Sequence, residues 1–213
     1  MQLLSPNSPT LVLCAHPDDE IGCGALVSML TERQQPVHYC YFSNCAESTK
    51  ALGFNPDLLI EECYESCSEL GIERERIQGF DFPVRHFPQH RQDILETLVR
   101  LRKEIDPGLV LVASRDDIHQ DHATLTNEAV RAFKHCSIIG YEFPWNHMHS
   151  HLDMLVRVEQ RHIEAKIRAW SRYKTQSVRA YHGEKVLESL ARVRGVQAST
   201  EFAESYETIR IFV

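Results

Sequence analysis

Short apolar runs separated by stretches with helical periodicity constrain this chain more than any other feature. Leu11-Val12-Leu13-Cys14, residues 37–43, Leu109-Val110-Leu111-Val112-Ala113 and residues 137–143 are largely apolar, as strands buried on both faces must be. Between and around them lie helical patterns at 22–34, 56–70, 89–105 and 121–134, with Pro36 ending the first and Gly71 the second. A weaker strand is expected at 76–80. Strands that alternate with helices become parallel neighbours in a sheet covered on both sides. The expectation is a Rossmann-like three-layer α/β fold with a mainly parallel central sheet. Beyond residue 144 the alternation weakens. A strand at 155–158, helices at 160–175 and 182–194 and a closing strand at 206–212 read as a short C-terminal α+β extension. The 213 residues suffice for one complete core, and no linker-like stretch divides them, so residues 1–213 read as a single domain.

Open parallel sheets bind ligands beyond the carboxyl ends of their strands. The residues following the two best strands are Ala15-His16-Pro17-Asp18-Asp19-Glu20 and the nine-residue stretch from Ser114 to His122, which ends His119-Gln120-Asp121-His122. Three carboxylates and an imidazole crowded into five positions are costly unless a cation neutralises them. His16 and Asp19 are spaced to reach one ion, with Asp18 directed past it, and the second loop offers His119, Asp121 and His122. Two histidines and one carboxylate leave an open position on Zn2+, the expected cofactor. Iron, cobalt or manganese suit the same donors. A neighbouring carboxylate can then take a proton from water as it attacks a carbonyl. Taken singly, Asp19, Glu20 and Asp121 also suit helix N-termini. Two such clusters, each after a strand and each carrying an imidazole, favour one joint site.

Other classes fit less well. A net charge of −7 and a pI near 5.9 disfavour nucleic-acid partners. No run of about 18 apolar residues would span a membrane, and residues 1–6 lack the features of a leader. Seven cysteines without a CxxC pair read as buried apolar side chains in a reducing, cytoplasmic compartment, and this includes Cys63 and Cys67, four apart on one helix. Gly22-Cys23-Gly24 invites a dinucleotide reading, but Val27 stands where the third glycine belongs, so close packing explains the glycines better. His147, His149 and His151 alternate, and they read as a polar loop over the site, with a second metal as the alternative. A homo-oligomer is compatible with the sequence.

The segments AHPDDE and His119-Gln120-Asp121-His122 resemble the PIG-L/LmbE-like family of zinc-dependent de-N-acetylases, which act on N-acetylglucosamine-type sugars and related amides. The resemblance continues through Glu62 to Gly71, Lys166, Tyr173 to Gln176 and Phe202 to Tyr206. It implies that His16, Asp19 and His122 bind zinc and that Asp18 is the general base. It further implies that His119 stabilises the oxyanion or protonates the leaving amine, with Asp121 orienting His119. Glu20 reads as structural.

The chain departs from the family pattern on the substrate side. Ser43-Asn44-Cys45 replaces a Thr-x-Gly turn, and Leu59 stands where many members carry an arginine. Arg85 and Arg115 are candidates to replace that arginine, and Trp145, after Tyr141-Glu142, is a candidate wall for a sugar ring. The expected substrate is a small N-acetylated sugar or conjugate. The alternatives are a metal-dependent amidohydrolase for a non-sugar N-acyl compound and a non-catalytic nucleotide- or sugar-binding protein.

Overall fold

A computed structural model describes residues 8–151 and 153–212; the reading of residues 1–6 as lacking a leader lies outside them. Five parallel strands form the body of the sheet: β1 (Thr10–Cys14), β2 (Val37–Tyr41), β3 (Ile77–Gly79), β4 (Leu109–Ala113) and β5 (Ser137–Tyr141). Two more, β6 (Met154–Val158) and β7 (Phe202–Arg210), complete it. The strand order is β3-β2-β1-β4-β5-β7-β6, and β7 runs antiparallel to both of its neighbours. The C-terminal segment therefore extends the same sheet.

Alternation along each strand explains the two helical layers. Val12 and Cys14 point into one core with Leu26 and Leu30 of α1 (Gly24–Glu32), Cys63 and Cys67 of α3 (Leu58–Glu69) and Trp170 of α6 (Gln160–Ser171). Leu11 and Leu13 point into the other, against Ile94, Leu98 and Leu101 of α4 (Arg91–Ile105) and Leu125 and Ala129 of α5 (Gln120–Ala132). Each such side chain contributes about 1.5–3 kcal/mol when fully buried. In α4 the buried positions recur at four and three residues, as a one-sided helix requires, and Asp106 ends it in the left-handed region (φ 49°) just before Pro107. All seven cysteines are free and buried, and burial pushes their thiols up.

Several boundaries differ from the sequence-based expectation. The first helix begins as a 3-10 turn over Asp19–Cys23, because residues 15–20 are held by the site before regular helix can start. A short helix α2 (Ala46–Ala51) was not expected from its Ser/Thr-containing sequence. The last helix is α7 (Glu184–Gln197). β7 starts four residues earlier than predicted, since Glu204, Ser205 and Glu207 are buried there and erase the apolar signal. Glu204 accepts from the amides of Ala25 (3.0 Å) and Leu26 (2.7 Å) at the start of α1, and from Lys166 Nζ (2.7 Å) and the Tyr206 hydroxyl (2.7 Å). Gly22 packs so close to Tyr141 that a Cβ would fall 2.4 Å from its ring, which supports the packing role of that glycine.

Candidate active site

In this strand order β1 is flanked by β2 on one side and β4 on the other, so the chain turns opposite ways after β1 and after β4. A crevice opens between their carboxyl ends. Residues 15–20 leave β1 there and residues 114–122 leave β4, which is why two segments about a hundred residues apart in sequence meet at one place.

Three ligand-type atoms form a compact triangle. His16 Nδ1 lies 3.1 Å from His122 Nε2, and Asp19 Oδ2 is 3.4 Å from the first and 3.3 Å from the second. A tetrahedral zinc with bonds of about 2.0–2.1 Å separates its ligands by roughly 3.3 Å, so these donors fit that ion. His16, His119 and His122 also bring nitrogens within 4.8 Å of one another, and hydrogen bonding separates their roles. The Asp121 amide donates to His119 Nδ1 (3.2 Å), so the single proton of a neutral His119 ring must reside on Nε2. A neutral His119 ring thereby presents an N–H, and not a lone pair, from Nε2.

Carboxylates hold the other two rings. Asp117 Oδ2 lies 2.7 Å from His122 Nδ1, and Asp121 Oδ2 lies 3.3 Å from His16 Nε2. Each ring donates outward, so that loss of its inner proton leaves a lone pair facing the triangle, the arrangement that orients metal-binding imidazoles. Asp121, expected to orient His119, bonds it through its backbone amide, while its carboxylate reaches His16 and accepts in addition from the amides of Arg85 (2.5 Å) and Phe87 (3.2 Å). Asp117 was not singled out from the sequence. It is buried, accepts from the His119 amide (2.8 Å) and Asn146 Nδ2 (3.2 Å), and its one signal was a carboxylate five residues before a helical imidazole.

The electrostatics follow from this packing. Burial lowers His16, but Asp19 and Asp121 outweigh it and raise the ring to about 9. Burial opposes and Asp19 and Asp117 favour the charged form of His122, raising it to about 10. Asp19 lies well below the usual carboxylate range because both imidazoles outweigh its burial. Asp18 is raised to about 6 by burial and by the charge of Asp19, and it makes no side-chain cap at the turn it precedes. Burial and the charges of His16 and His122 lower His119 to about 4. Glu20 is fully buried beneath the loop. There it accepts from Ser66 Oγ (2.5 Å) and the Tyr173 hydroxyl (2.6 Å), and burial raises it to about 8 against those bonds. Tyr39 and Tyr173 also donate to the Pro17 carbonyl at 3.0 and 2.7 Å, which fixes the backbone between His16 and Asp18.

The triangle opens on a cavity of about 420 Å³, within the size range of small-molecule sites. Asp18, His119, Arg85 and Trp145 line it, and Arg115 does not. Arg115 binds Glu207 instead, through Nε (2.5 Å) and its amide (2.7 Å), because a buried carboxylate on β7 needs that cation. Trp145 stacks on Tyr181 with centroids 4.3 Å apart and planes 3° from parallel. Sequence reasoning did not find Tyr181 or Arg179, and met Gln176 only within the family-like segment Tyr173 to Gln176; all three line the cavity. They come from the segment after α6, where Glu62 anchors the backbone by accepting from the amides of Lys174 (2.9 Å) and Thr175 (3.3 Å) and from Thr175 Oγ1 (2.6 Å). Leu59 lines the cavity as well. Cys45 takes a left-handed conformation (φ 53°) at the place of the expected glycine. The His147–His151 loop lies outside the cavity lining.

Comparison with known proteins agrees with this geometry. Three solved structures share the fold along nearly the whole chain. The conserved protein TT1542 from Thermus thermophilus is 21% identical with a TM-score of 0.78, covering 97% of both chains. GalB, the 4-carboxy-2-hydroxymuconate hydratase of Pseudomonas putida KT2440, is 19% identical with a TM-score of 0.75, covering 97% of this chain and 98% of that one. The N,N'-diacetylchitobiose deacetylase of Pyrococcus horikoshii is 18% identical with a TM-score of 0.75, covering 98% of this chain and 87% of that one. No curated protein matches the chain. Residues 11–134, more than half of the chain and containing both strand-end segments, match the family described as PIG-L, GlcNAc-PI de-N-acetylase. The chain belongs to the PIG-L family.

Proposed function

We propose that the protein is a zinc-dependent hydrolase that removes an acetyl group from an N-acetylated sugar or sugar conjugate, with residues 1–213 acting as one domain. The observation that carries this reading is the triangle of His16 Nδ1, His122 Nε2 and Asp19 Oδ2, matched in size to tetrahedral zinc and lining a cavity with Asp18 and His119. Held by those three residues, zinc supplies Lewis-acid polarisation of the acyl carbonyl and makes water nucleophilic near neutral pH.

The remaining steps belong to the chain. Asp18, raised to about 6, is ionised at pH 7 yet basic enough to take the proton of the attacking water. It then carries that proton to the departing amine. His119, lowered to about 4, is neutral at pH 7 and donates from Nε2 to the oxygen that becomes negative. This assigns it oxyanion stabilisation, since a neutral ring that gave its proton to the amine would be left an anion. Asp117 and Asp121 keep the two ligand rings in the right tautomer. The Trp145–Tyr181 stack offers an aromatic face to a sugar ring, and Arg85 can reach polar substituents beside it. The free, buried cysteines support a reducing, cytoplasmic setting.

One structural neighbour is described as a hydratase of a muconate, which makes hydration the second reading to test. The test is acetate release by zinc-loaded protein from a panel of N-acetylated sugars, set beside N-acetylated amino acids and an unsaturated carboxylic acid. Acetate from the sugars alone supports the proposal. Acetate only from amino acids would indicate a non-sugar amidohydrolase, hydration without acetate would indicate a hydratase, and sugar binding without turnover would indicate a binding protein.

A further inference from the structure

Outside the cavity, a second group of ligand-type side chains converges. His149 Nε2 lies 3.5 Å from Asp116 Oδ1, and His151 Nδ1 lies 2.8 Å from Asp116 Oδ2. One donor atom from each of the three falls within 4.8 Å of the other two. The carboxylate is mostly covered (11% exposed) while the imidazoles are 72% and 73% exposed. The rings are nearly perpendicular, at 88° with centroids 5.7 Å apart, so each approaches its own oxygen. The His151 amide also donates to Oδ2 (2.7 Å), which fixes the carboxylate at the root of the loop. His147 stands apart, with Nδ1 on Ser150 Oγ at 3.1 Å.

Two imidazoles and a carboxylate supply the donor types of a zinc, nickel or copper site. We propose that Asp116, His149 and His151 form a second divalent-metal site, which takes Zn2+ and fastens residues 147–151 to the loop that follows β4. The attachment is next to the first site and separate from it. None of the three residues lines the cavity. Adjacent bonds nevertheless join the two loops: the Ile118 amide donates to the Asn146 carbonyl (3.1 Å), Asp117 forms an isolated bridge with His147, and Asn146 Nδ2 donates to Asp117 Oδ2 (3.2 Å). A cation on Asp116 thus steadies the segment that carries Trp145 and Asn146 into the cavity wall. Its solvent-exposed ligands make it the weaker of the two sites, and the Irving–Williams order gives Cu2+ a higher affinity there than Zn2+.

The test is equilibrium dialysis of the full chain against Zn2+, with metal content read by atomic absorption. Wild type is expected to bind two equivalents, the second more weakly. His149→Ala and His151→Ala each retain only the first, while His16→Ala loses the first and keeps the second. Hydrogen exchange at the amides of 147–151 slows when the second equivalent binds to wild type and does not slow in His149→Ala. Zinc stoichiometry that neither His149→Ala nor His151→Ala lowers, whether wild type saturates at one equivalent or at two, overturns the proposal. Unchanged exchange at 147–151 overturns the fastening role. Since the readout is stoichiometry and exchange, a failure of the deacetylase reading leaves this result unaffected.

Discussion

His122 Nδ1 lies 2.7 Å from Asp117 Oδ2, and that one contact decides which nitrogen of His122 faces the metal triangle. With one proton held on Nδ1, it is Nε2 that gives up its proton and turns a lone pair toward His16 and Asp19 when the ring is neutral. Asp117→Asn keeps the shape but removes the charge that holds this tautomer. We expect zinc affinity to fall about 10–100-fold, measured by competition with a chromogenic chelator. Unchanged affinity would remove Asp117 from the account.

Metal binding should displace protons. In the metal-free protein His16 is raised to about 9 and His122 to about 10, so both rings are protonated at pH 7.5 and must be neutral to bind zinc. Calorimetric titration of the first zinc equivalent in buffers of different ionisation enthalpy should show release of about two protons. Release near zero would mean that these rings are not the ligands.

The acid limb of activity belongs to Asp18. Its carboxyl, raised to about 6 by burial and Asp19, must be ionised to accept a proton, so kcat/KM rises with pH through that region. A bound Zn2+ replaces the two imidazolium charges that already lower this group, so the limb stays in that region. The limb should therefore lie at about pH 6 and vanish in Asp18→Asn, with turnover reduced by about 10²–10⁴-fold. A limb that persists in Asp18→Asn would assign the proton transfer to another group.

Glu20 gives a stability signature in metal-free protein. Its folded pKa of about 8 exceeds the ordinary carboxyl value of 4.5 because burial outweighs its hydroxyl partners. Its contribution is fully present below about pH 4.5 and is lost as pH rises through 8. Glu20→Gln should thus flatten the fall in stability across that window, as read by denaturant unfolding at a series of pH values. Parallel curves for the two proteins would contradict the shift.

The two candidate arginines should separate kinetically. Arg85→Ala is expected to raise KM several-fold, because Arg85 lines the cavity. Arg115→Ala should leave KM within about twofold and lower stability by roughly 1 kcal/mol, because it removes a partner from Glu207. The reverse pattern would place the substrate outside this cavity.

How much of this was legible in the sequence follows from the type of residue involved. β1, β4 and β5 were readable because Leu, Val and Ile buried on both faces leave continuous apolar runs, whereas β3, three residues long and largely exposed, gave only a weak signal. The two loops were readable too, because carboxylates and imidazoles packed after a strand have few other uses. β7 was partly hidden, since Glu204 and Glu207 sit in its buried stretch and are satisfied by partners distant in sequence. Asp117 reaches His122 within one loop and was passed over among several carboxylates there. Nothing local reveals that the Asp121 carboxylate reaches His16 across about a hundred residues, where the amides of Arg85 and Phe87 also hold it. Tyr181 was unreadable because its place depends on Glu62 anchoring the segment after α6, of which only the turn Lys174–Gln176 is regular.

The central claim is that Asp18 and a zinc ion held by His16, Asp19 and His122 hydrolyse the amide of an N-acetylated sugar. The most direct measurement is acetate released in a single turnover by wild type and Asp18→Asn at matched zinc content. The account predicts stoichiometric acetate and free amino sugar from wild type, none from the metal-free protein, and release slowed by at least about 10²-fold in Asp18→Asn. Equal release by both zinc-loaded proteins, or none from wild type on any N-acetylated sugar it binds, would contradict it.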